Sequence, residues 1–163
     1  MVYARRSGGW LGMIQLVCFN LSNRRYALPL SAVVGILRAV EITPLPKAPP
    51  IVLGIVNVGG RIIPVVNMRQ RFRLPNQEIE PRDQFILGQT GRRVVALVAD
   101  EVSSVLERPE RDVITPHDIL PGLEGVEGVV GLDDGMILIY DLSKFLALEE
   151  EVALDVALAK TKG

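Results

Sequence analysis

One cysteine, one histidine and one tryptophan occur in 163 residues, and aromatic residues make up only 5% of the chain. Each scarcity removes a class of chemistry. A single cysteine, Cys18, excludes an intrachain disulfide and with it the stapled frameworks of small secreted domains. Set among apolar neighbours, it reads as a buried thiol in a strand. A single histidine, His117, leaves no His/Cys set able to hold zinc. It would also have to be the base of any Ser-His-Asp triad, yet no serine sits on a G-x-S-x-G elbow. Between Pro116 and Asp118, His117 reads as a solvated or capping loop residue.

Excess charge is also missing. A net charge of -1 and a pI near 5.9 provide no field for neutralising phosphates, so nucleic acid is not expected as a partner. The pairs Arg24-Arg25 and Arg92-Arg93 build no stripe and read as solvated arginines. No run approaches the ~18 uninterrupted apolar residues of a membrane span. The stretch GGWLGMIQLVCFNL after Arg5 and Arg6 imitates a secretory leader, but Gln15 and Asn20 interrupt it and no small-residue cleavage site follows. A cytoplasmic protein without direct membrane insertion is the expectation.

What is present is a chain that is 48% apolar and 23% charged, with mean hydropathy +0.30, enough to bury a core. Valine, isoleucine and leucine dominate short runs punctuated by Gly, Pro, Asn and Asp, the pattern of a mainly β chain. Strands are expected at Ile14–Leu21, Tyr26–Leu30, Val34–Val40, Val52–Val58, Ile62–Met68, Gln84–Gly88, Val94–Val98, Val102–Leu106 and Met136–Tyr140. Glu41–Pro50 carries four prolines and reads as an ordered crossing loop. From Leu142 the chain lacks Gly and Pro until its last residue and favours one or two terminal helices, with Phe145, Leu146, Leu148, Val152, Val156 and Leu158 as the apolar side.

Two segments recur. YALPLSAVVGIL (Tyr26–Leu37) lies without a gap over VALVADEVSSVL as Val95–Leu106, placing Ala27 on Ala96, Val33 on Val102 and Ile36 on Val105. GIVNVGGRIIPVVNM (Gly54–Met68) lies over GVVGLDDGMILIYDL (Gly128–Leu142), placing Gly59-Gly60 on Asp133-Asp134 and Asn67 on Asp141. Each copy is too small to hold a core alone, so the two are expected to pack or intertwine about a pseudo-twofold axis.

Gly59-Gly60 does not read as a phosphate loop: Arg61 and β-branched residues follow where Walker A needs lysine, Ser or Thr and a helix. A hairpin turn at positive φ is the physical reading. Asp133-Asp134-Gly135 lacks the remaining oxygens of a calcium loop. Adjacent residues of a strand point to opposite faces, so Asp100-Glu101 make poor partners for acid-base work, and a strand or turn edge is their expected role. No cofactor, metal or catalytic site is expected, so function falls to surfaces and strand edges.

The F-x-L strand at Phe19-Asn20-Leu21, YALPLSAVVGI, the proline-rich loop, GIVNVGGRIIPVVNM, VALVADEV and MILIYDLSKFL together resemble the CheW family of chemotaxis coupling proteins. The resemblance implies two intertwined SH3-like β-barrels in one CheW-like domain over 14–148, with repeats at about 19–72 and 85–146 and a helix or tail at 149–163. It also implies a non-catalytic adaptor binding the regulatory domain of a CheA-type histidine kinase and the cytoplasmic tip of methyl-accepting receptors, in membrane receptor arrays. By resemblance, the interaction residues are Val33, Gly35, Ile36, Gly54, Asn57, Gly59, Gly60, Asp100 and Val102, around a groove between the barrels.

Three charged positions of the family pattern are neutral here. V-x-E-I reads Val33-Val34-Gly35-Ile36, N-L-R-G reads Asn57-Val58-Gly59-Gly60, and P-V-x-D-L reads Pro64-Val65-Val66-Asn67-Met68. If the missing Glu and Arg are neighbours in the family, restoring Glu at Gly35 and Arg at Gly59 together should be tolerated and restoring either alone should not. Two competing readings are a detached domain of a larger signalling protein, such as CheV or CheA, and a groove that binds a small molecule or acts enzymatically.

Overall fold

Apolar runs that continue on both faces of a strand demand packing on both sides, and that requirement sets the architecture. The computed structural model describes residues 5–6, 9–10, 12–115 and 124–162. Its strands are β1 (Arg5–Arg6), β2 (Gly9–Trp10), β3 (Met13–Leu21), β4 (Arg24–Pro29), β5 (Val33–Arg38), β6 (Val52–Val58), β7 (Arg61–Val66), β8 (Gln84–Gln89), β9 (Val94–Ala99), β10 (Glu101–Pro109), β11 (Val126–Leu132) and β12 (Gly135–Tyr140). Two α-helices, α1 (Met68–Arg71) and α2 (Leu148–Lys162), complete it.

Two five-stranded sheets result, with strand orders β10-β3-β4-β12-β11 and β5-β8-β9-β7-β6. Substituting each strand by its repeat mate turns one order into the other. The correspondence extends to detail: bulges fall at Val33/Gly35 and Val102/Ser104, and at Val52/Gly54 and Val126/Gly128. Each sheet has one parallel pair, β12 with β4 and β7 with β9. Isolated bridges join Thr43 to Ile55 and Ile114 to Val129. The halves exchange strands, since β5 of the first half pairs with β8 and β10 of the second pairs with β3.

Alternate residues feed different cores. On β3, Leu16 and Cys18 join a cluster inside the first sheet with Val130, Ile137 and Ile139, whereas Phe19 and Leu21 face a core shared by both sheets. On β9, Val94 and Ala96 line the second sheet's own cluster, and Val95, Leu97 and Ala99 face the shared core. Cys18 is buried and free as expected, and burial pushes its thiol pKa up. The shared core holds an aromatic chain: Tyr26 stacks on Phe72 at 4.4 Å, and Phe72 meets Tyr140 edge-on at 5.1 Å. Burial pushes the Tyr140 phenol up to about 12.

Three departures from the sequence expectations have physical causes. Val126–Leu132 is a strand although it carries Gly128 and Gly131, because β12 pairs along its length. The strand expected to reach Met68 stops at Val66, because the Asn67 side chain accepts from Gln70 N and caps α1. Asp100, by contrast, lies at the β9–β10 corner, the strand or turn edge expected of it, and its Oδ2 accepts from Ser22 N at 2.9 Å while Arg69 donates to its Oδ1. The terminal segment turns a partly different side inward: Phe145 and Leu146 are buried and Leu158 packs on the shared core as expected, but Leu154 and Ala157 are buried as well, whereas Leu148, Val152 and Val156 are exposed. Arg93 sets that rotation by pairing with Glu151 and Asp155, and Arg92 also reaches Asp155, so these arginines are not simply solvated. Arg25 likewise pairs with Asp134. His117 lies outside the described residues.

Candidate protein interaction site

Edge strands are where a sheet still has backbone donors and acceptors to offer, and the expected interaction residues gather there in part. Val33, Gly35 and Ile36 lie on β5, at one end of the second sheet's ladder. Asp100 and Val102 lie where β10 begins, at the equivalent end of the first sheet. Val33 and Val102, mates in the repeat, both pack on the shared core, and Gln84 Oε1 accepts from Val102 N at 2.8 Å. Outward from each edge stand apolar side chains: Val34 and Ile36 on β5, Val105 on β10. Val34 and Val105 are absent from the expected set. The repeat pointed to Val105, mate of Ile36, whereas Val34 aligns with Ser103.

Asn57, Gly59 and Gly60 form a second location, the exposed tip joining β6 to β7 at the far end of the same ladder as β5. Val58 pairs with Arg61, leaving a two-residue loop, and φ is 59° at Gly59 and 87° at Gly60. Positive φ at both central residues is the twist-matched hairpin turn, as the sequence suggested. Asn57 Oδ1 accepts from Gly60 N at 2.9 Å, so the asparagine stabilises the turn from inside. Ile62, exposed beside this tip, is a further apolar contact that the sequence reading passed over as a strand residue. The repeat mate of the tip is acidic: Asp134 forms a bidentate pair with Arg25 at 2.7 and 2.9 Å, which holds its carboxyl below the usual aspartate range.

Gly54 belongs to neither surface. It is buried, and a Cβ there would sit 2.5 Å from the Thr43 carbonyl oxygen and against Ile42. The missing side chain lets Thr43 bridge to Ile55. Gly128 does the same for Ile114 and Val129, where a Cβ would meet Val113 at 2.5 Å. Both are requirements of packing.

The neutral positions now have physical content. Asn67 caps α1, as Asp141 caps the turn at Leu142–Lys144 by accepting from Ser143 N, so replacing Asp by Asn preserves the cap. At Gly35 a Cβ would meet only Leu87, at an ordinary 3.8 Å, and at Gly59 it would meet nothing within 4 Å. The ladder places β8, β9 and β7 between their strands. Each of the two backbone sites therefore has room for a Cβ of its own.

An open cleft of about 640 Å³ lies nearby, with Ile42, Leu53 and Val98 on its walls beside Asn67, Asn76 and Ile79. Among the described residues, no group of three or more His, Cys, Asp or Glu could hold a metal ion. No described helix is long and apolar enough to cross a membrane.

The chain is 30% identical over 141 residues to "Chemotaxis protein CheW" of Rhizobium meliloti strain 1021, covering 85% of this chain and 91% of that one. It is 30% identical over 118 residues to "Protein FrzA" of Myxococcus xanthus, covering 72% of each. The crystal structure of the scaffolding protein TtCheW from Thermoanaerobacter tengcongensis superposes with a TM-score of 0.76 at 27% identity, covering 84% of this chain and 90% of that one. With the CheW-like domain matching residues 15–150 as well, the chain belongs to the CheW-like domain family.

Proposed function

We propose that the chain is a non-catalytic adaptor that couples the cytoplasmic tips of methyl-accepting receptors to the regulatory domain of a CheA-type histidine kinase, in the cytoplasm at receptor arrays. The observation that carries this reading is the pair of repeat-related edge strands. β5 and β10 each end a rigid sheet and each turn apolar side chains outward, Ile36 and Val105 among them. Two equivalent edges on one body suit a protein that holds two partners at once, through main-chain pairing and apolar anchors. The name of the Rhizobium meliloti relative, a chemotaxis protein, supports the pathway.

Relative to the family pattern, Gly35 and Gly59 shift recognition from ion pairing to apolar contact. Affinity at β5 then rests on Val34 and Ile36. The test is calorimetric titration with a kinase regulatory domain and a receptor-tip fragment, separately and together. A three-component complex is expected, weakened tenfold or more, roughly 1.4 kcal/mol, by Ile36→Asp. Absence of binding to both fragments at ~50 μM would defeat the proposal.

A further inference from the structure

The helix α2 continues to Lys162, past the family-matched segment that ends at 150. Its inner side is fully occupied: Leu154 and Ala157 are buried, and Arg71 and Arg93 pair with Glu150 and Glu151. Its outer side carries an apolar stripe. Leu148 is 71% exposed, Val152 53% and Val156 51%, at successive i,i+4 positions on one face. The fold provides these three with no cover.

The charges flanking the stripe identify what fits it. Glu149 stands beside its beginning and Lys160 beside its end, both exposed and without an ion-pair partner among the described residues. The helix dipole runs the other way, with partial positive charge at the first turn and partial negative at the last, and it too is met best by an antiparallel helix. A helix laid antiparallel to α2 with the same sequence brings its Lys160 to Glu149 and its Glu149 to Lys160, with the two dipoles opposed. The register is self-consistent. An axis passing by Leu154 sets Val152 of one copy against Val156 of the other, and Leu148 against the turn holding Lys160.

We propose that the outer face of α2 is a self-association surface, on which two copies of this chain pair their helices antiparallel about a twofold axis. The contact is isologous, so it closes at two. It is also small: two such stripes bury on the order of 700 Å², below the ~1,200 Å² of a stable interface, so the dimer is weak and forms at high local concentration.

Sedimentation velocity over ~0.02–1 mM tests it. The expected result is an average mass that rises from monomer towards dimer with concentration, and a rise abolished by Val152→Glu at unchanged far-ultraviolet circular dichroism. Glu149→Lys and Lys160→Glu each weaken dimerisation several-fold, and the double variant E149K/K160E restores it. A mass independent of concentration to ~1 mM would overturn self-association and leave the stripe to a helix of another protein. So would a dimer indifferent to Val152→Glu, or a double swap no better than its single changes.

Discussion

The Arg93 guanidinium donates from Nε to a carboxylate oxygen of Glu151 at 2.9 Å, in a place where the two side chains are only 16% and 8% exposed. The same arginine reaches Asp155 one helical turn later, so one side chain fixes both the position and the rotation of α2.

Arg93→Ala leaves Glu151 charged, buried and unpaired, which costs about 3 kcal/mol. Glu151→Gln, which keeps a hydrogen-bond acceptor, costs less than half of that. Chemical denaturation ranks the two variants, and hydrogen exchange locates the loss: protection should fall first in 148–162.

Gly54→Ala and Gly128→Ala each force a methyl into the backbone or side chain across from it, with a loss of more than about 2 kcal/mol. Gly59→Ala and Gly60→Ala meet open space and pay only for positive φ, about 1 kcal/mol each. Equal losses at all four positions in urea titrations would contradict the assigned roles.

Gly35→Glu is expected to change stability by less than ~0.5 kcal/mol, and Gly59→Arg to cost about 1 kcal/mol because of its φ. The double variant should be additive within ~0.5 kcal/mol by thermal melting. A coupling well beyond that would mean that the two side chains meet after all.

The carboxyl of Asp155 is held low chiefly by its hydrogen bond from Arg93, and that of Asp134 chiefly by its hydrogen bond from Arg25. Their folded values lie below the unfolded aspartate value of about 3.9, so their stabilisation is fully present above that pH and is lost as pH falls through the folded values. The melting temperature should therefore drop on acidification below about pH 4, and Asp155→Asn should remove part of the drop. Solvent screening keeps each contribution small.

Phe72→Ala removes the ring between Tyr26 and Tyr140 at the centre of the shared core. A loss of about 3–5 kcal/mol is expected, with both sheets unfolding in a single transition because both border the vacancy.

The elements legible in advance were those written in local pattern. Leu16, Cys18, Val95 and Leu97 sit in continuous apolar runs, and continuous runs mean burial on two faces. The repeat alignment places Val33 on Val102, and both flank a bulge in their strands. What stayed hidden was set by residues distant in sequence. Gly54 is a glycine because of Thr43, α2 turns Val152 outward because of Arg93, and Asp100 is tied to Ser22 and Arg69. Composition suggested one or two helices from Leu142 onward, but apolar residues lie around most of the circumference of α2, so periodicity alone could not choose its inner face.

The exchange of β5 and β10 between the halves reaches into how the chain is made. During synthesis, β3 and β4 emerge early, but their sheet lacks β10 until residue 109, and β11 and β12 until residue 140, has left the ribosome. The N-terminal half must wait with its edges open, a slow and non-local route to the native state. A break between the halves would not release two working modules; it would yield fragments that each carry strands belonging to the other.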